Sequence, residues 1–104
     1  MYVALLLTAL ENWDEELSDN ALVEYVLACR AEMLSALPRR GESTYSALAS
    51  EIAYDLALIK LCEAHDLEVV AADFAHPKEE RAHLEYELGA AGYDLNALTR
   101  QRRD

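Results

Sequence analysis

Cys62 and His65 stand three residues apart, so a helix through them puts a thiol and an imidazole on one face, within reach of each other or of a shared metal ion. His76 and His83 are the only other histidines, and the four residues read C-x2-H-x10-H-x6-H. That spacing matches no zinc pattern, and no third group that would orient a Cys-His nucleophile is evident. The competing reading is a buried thiol beside a helix-end histidine. Glu80 and His83 form an ExxH, half of the ligand set that di-iron four-helix proteins use, which a homodimer of helical hairpins would have to complete. On a helix, however, Glu80 falls beside the apolar stripe and His83 on the polar side, which suits solvent-facing charge better than a ligand pair. Glu11, Asp14, Glu15, Glu16 and Asp19 crowd five carboxylates into nine residues without a base. Such a run is either a solvated turn or an acidic surface that meets a basic partner. No P-loop, GxGxxG, GxSxG, HExxH or EF-hand sequence occurs, and the expectation is no cofactor, no metal and no catalytic residue.

The elements that position these groups are helical. The 104 residues suit one domain, and 53% hydrophobic against 28% charged residues describes a globular chain. The three glycines and two prolines sit where helices start or stop. Val3, Leu6, Leu10, Trp13 and Leu17 recur at steps of three and four, although the acids from Asp14 onward favour a helix end near Asn12. Ser18, Asp19 or Asn20 caps a second helix that runs to Leu37 ahead of Pro38. Its apolar arc is wide enough for burial on more than one side and includes Arg30. An unpaired guanidinium there is costly, so an internal pair of Arg30 with Asp55 is expected, with Glu51 and Glu63 as the other possible acids.

After the loop Pro38–Glu42, Ser43 or Thr44 caps the longest helix, which extends to about His65. Tyr45, Leu48, Ala49, Ile52, Leu56 and Ile59 form its main stripe, while Ala47, Tyr54, Leu58 and Leu61 form a second one on nearly the opposite side. A helix with two apolar faces lies in the middle of a domain or offers one face to another molecule. Dimerisation through Tyr54, Leu58 and Leu61 is the expected use of the second stripe. Residues 66–75 break the pattern, with Phe74 anchoring the loop in the core. Pro77 opens the last long helix, which carries a narrow face of Leu84, Leu88 and Ala91 and closes at Gly92; Tyr93, Leu95 and Leu98 add a final turn.

The predicted fold is therefore all-α, a bundle of four or five helices around a central antiparallel hairpin, with residues 1–99 as the domain and 100–104 as a disordered basic tail. The net charge of −11 opposes approach to nucleic acid or an anionic membrane. Cys29 and Cys62 have no CxxC partner, and Met1–Leu10 lacks a basic leader and a cleavage site, which point to reduced thiols in the cytoplasm. Seven arginines to two lysines suit a GC-rich bacterial genome. The function expected is non-catalytic: an interaction or regulatory module with an apolar helical face set in an acidic surround, binding a second copy or another protein. The alternatives are a metal-dependent or carboxylate-based enzyme assembled across a dimer, using Glu80, His83, Cys62 or His65, and an acidic inhibitor that occupies a basic site on its target.

Overall fold

The computed structural model describes residues 2–36 and 44–102, which form α1 (Tyr2–Glu11), α2 (Asp19–Ala36), α3 (Thr44–Ala64), α4 (Pro77–Ala90) and α5 (Leu95–Arg102), with a 3-10 turn at Ala71–Ala75. Leu37, the Pro38–Glu42 loop, the Ser43 cap and the end of the tail at Arg103 and Asp104 lie outside the described residues. The all-helical bundle is as the punctuation predicts. α2 and α3 form the central hairpin, α1 and α4 pack on α3 and on the 3-10 turn, and α5 bridges α2 and α4.

Local chemistry accounts for the helix ends. Ser18 Oγ accepts the Ala21 N–H at 3.2 Å and caps α2, and Asp94 Oδ1 accepts the Ala97 N–H at 3.1 Å and caps α5. Pro77 opens α4, where its missing N–H has no partner to lose. α4 closes in a Schellman turn: Tyr93 N–H reaches the Leu88 carbonyl at 2.8 Å and Gly92 N–H the Gly89 carbonyl at 3.1 Å, with Gly92 at φ 104°. α3 closes the same way through Leu67 to Cys62 and Asp66 to Glu63, but the left-handed position is held by Asp66 at φ 60°.

The two stripes of α3 exchange rank. Tyr54, Leu58 and Leu61 are each 0% exposed, whereas Leu48, Ile52 and Leu56 of the stripe read as the main one are only partly buried. The face expected to meet a partner is the centre of the core, because α3 is wrapped by α2, α1 and α4. Phe74 is fully buried and ties the 3-10 turn to that core. α2 is less engulfed than its arc suggests, since Tyr25 and Leu34 remain exposed. The expected boundary after residue 99 falls inside α5, which carries helix through Arg102.

Candidate functional site

Among the described residues Cys62, His65, His76 and His83 do not gather into one metal-holding group. Cys62 is fully buried, and burial, then the charges of Glu63, Glu80 and Glu87, push its thiol up to about 12. A nucleophilic cysteine needs the opposite shift. His65 follows the end of α3 with its ring 4.4 Å from that of Tyr93, and its Nε2 is buried without a hydrogen-bond partner. His76 and His83 lie over the start of α4 beside Asp73, Glu79 and Glu80. Among the described residues no group of three or more His, Cys, Asp or Glu is arranged to hold a metal ion.

The buried ion pair exists, but with a different cation. Asp55 is 0% exposed and bonds Arg81 of α4, from Nε to Oδ1 at 2.7 Å and from Nη2 to Oδ2 at 2.8 Å. The Tyr2 hydroxyl donates to the same carboxylate, and Arg81 Nη2 also reaches Glu51 at 3.3 Å. Burial raises the Asp55 pKa against the pull of Arg81 and Tyr2; burial likewise opposes the Arg81 charge, yet the bonds to Asp55 keep it above its ordinary value. This network ties α1, α3 and α4 together. Its sequence signal was available: Arg81, Leu84 and Leu88 share the i, i+3, i+7 stripe of α4, so Arg81 faces inward with them.

Arg30, expected on Asp55, pairs instead with Glu85, one helical turn along α4 from Arg81. Its Nη2 donates to Asn96 Oδ1 at 2.7 Å, and its Nε lies 3.5 Å from Glu85, which also accepts the Tyr54 hydroxyl. That cluster borders a cleft of about 500 Å³ between α4 and α5, where Tyr86 stands 73% exposed. Arg30 and Glu85 offset each other here, and Asp94 adds a second carboxylate to the lining.

A second cleft, of about 420 Å³, is unbalanced. The Schellman turn at Asp66 folds the chain back so that Leu67, Glu68 and Val70 face Glu80, His83, Leu84 and Glu87 of α4, with Asp73 at the edge. Four carboxylates thus surround three apolar side chains, and among the described residues no Lys or Arg lines the cleft. Glu80 is only 8% exposed. Its partner is His83, whose Nδ1 lies 2.7 Å from Glu80 Oε1 while Nε2 lies 3.4 Å from Glu87. The hydrogen bond to Glu80 raises the His83 pKa, with the charges of Glu80 and Glu87 adding to it. Glu80 and His83 therefore do meet, as the ExxH spacing suggests, but as a carboxylate-imidazole pair at the lip of a cleft.

The chain matches no family model, no curated protein and no solved structure.

The acidic run before α2 stays at the surface: Glu11, Asp14, Glu15, Glu16 and Asp19 are all exposed. Between them Trp13 donates its indole N–H to the Glu15 carbonyl at 2.9 Å and packs edge-on against Tyr25. No helix among the described residues is long and apolar enough to cross a membrane. The surface thus carries an acidic turn and an acidic cleft with apolar walls.

Proposed function

We propose that this chain is a non-catalytic interaction module that recognises a basic protein. The observation that carries the reading is the fate of the reactive side chains. Cys62 is buried as a protonated thiol, Asp55 is committed to Arg81 and Tyr2, and Glu85 is committed to Tyr54 and Arg30. The groups left at the surface are acids in excess, and a net charge of −11 steers basic partners inward and repels a second copy of the same chain. This reading replaces the homodimer expected through Tyr54, Leu58 and Leu61, since those side chains are spent on the core. The free thiols Cys29 and Cys62 suit a reducing compartment such as the cytoplasm. The same properties suit an inhibitor that fills a basic site.

Immobilised protein tests the proposal. At low ionic strength it should retain a saturable basic partner and release it as salt shortens the Debye length from about 30 Å at 0.01 M to about 3 Å at 1 M. The purified chain itself should carry no metal in stoichiometric amount. Failure to retain any saturable partner overturns the reading, and stoichiometric zinc or iron in the purified chain overturns it in favour of a metal-dependent one.

A further inference from the structure

We infer that the cleft between α4 and the segment that follows α3 is the docking site for a basic segment of the partner, receiving a lysine or arginine side chain. The inference rests on the interaction-module reading and names the surface and the ligand class. Three features of the cleft converge on that occupant. The cleft has buried Leu84 at its base and an apolar wall of partly buried Leu67 and of Val70, which is 48% exposed, so a methylene stem lying against that wall would cover apolar surface that now faces water. The rim carries Glu68, Asp73, Glu80 and Glu87, while among the described residues the only basic group of the cleft is His83, which is charged only when protonated. A permanent cation therefore finds carboxylates that lack one. Among the described residues no group of three is arranged to chelate a metal, which favours an extended cationic side chain over a bare ion. Charge decides among macromolecules: a second copy, a nucleic acid and an anionic membrane all bring the wrong sign to this rim.

The probe is a blocked ten-residue peptide with a Lys-Arg centre between leucines, followed by backbone amide shifts of the full chain, with a Gln-for-Lys and Gln-for-Arg peptide as control. The basic peptide should shift residues 67–73 and 80–87 saturably, and the control should not. Glu68→Gln with Asp73→Asn, both exposed positions, should weaken binding about fivefold. Val70→Asp separates a cleft from a mere field, because it adds negative charge while removing an apolar wall. Weaker binding by this variant supports docking in the cleft, and tighter binding overturns it. Shifts confined to residues 11–19 overturn the cleft but leave the interaction module standing, and absence of any saturable binding by the basic peptide, together with no captured partner, overturns both.

Discussion

Arg81 grips Asp55 with two nearly parallel hydrogen bonds of 2.7 and 2.8 Å across 26 residues of sequence, joining α4 to α3 where the carboxylate has no exposure at all. Fork-to-carboxylate geometry is the strongest form of this contact, and Tyr2 adds a third donor from α1. Replacing only the arginine, as in Arg81→Met, strands a buried anion and should cost about 3–5 kcal/mol in urea unfolding. The double change Asp55→Leu with Arg81→Met should recover most of that loss, because two apolar side chains leave no uncompensated charge. A double variant as unstable as the single one would show that the pair's role is geometric rather than electrostatic.

Tyr54, Leu58 and Leu61 make an equally direct test of where the second stripe lies. Leu58→Ala opens a cavity in the monomer core and should lower stability by about 2–5 kcal/mol. The mass in solution, measured by light scattering at low and high salt, should not change. A fall in mass with stability retained would return this stripe to an interface.

The thiols should differ sharply in reactivity. With its pKa at about 12, Cys62 holds roughly one part in ten thousand as thiolate at pH 8 and is fully buried besides. A disulfide reagent should label half-buried Cys29 first and reach Cys62 only as fast as the protein opens. Labelling of Cys62 in the native state ahead of Cys29 would contradict both its burial and the non-catalytic reading.

His83 links the cleft to pH. Its pKa is raised above 6.5 by Glu80 and then by Glu87, with Glu68 and Asp73 also facing the cleft. A raised basic group contributes stability that is present in full below 6.5 and disappears as pH climbs through the folded-state value. The His83→Gln variant should therefore differ from the parent most below pH 6.5 and progressively less as pH rises above it. Because protonated His83 occupies the carboxylates, a basic peptide should bind more tightly as pH rises across the same interval. An imidazole titration by NMR at or below 6.5 would remove the basis of both expectations.

How much of this was legible in the sequence depends on the range of the interaction. The helical class, a cap for α2 within Ser18 to Asn20, the Pro77 start, the Gly92 stop and the anchoring of Phe74 were readable because each is decided within a few residues, by backbone hydrogen bonds and by the allowed φ of glycine and proline. The pairing of carboxylates with cations was not. Arg30 and Arg81 both lie on inward-facing stripes, and periodicity cannot say which one meets Asp55; the packing of α4 on α3 gave that place to Arg81 and sent Arg30 to Glu85 and Asn96. Nor could periodicity rank the two faces of α3, since both are apolar and only the positions of α1 and α4 determine which is sealed. The acidic cleft is a product of tertiary structure in the same sense. Its carboxylates come from residues 68 to 87 and become neighbours only because the left-handed turn at Asp66 doubles the chain back against α4. Composition alone fixes the sign of the charge, and the fold determines where that charge surrounds an apolar surface.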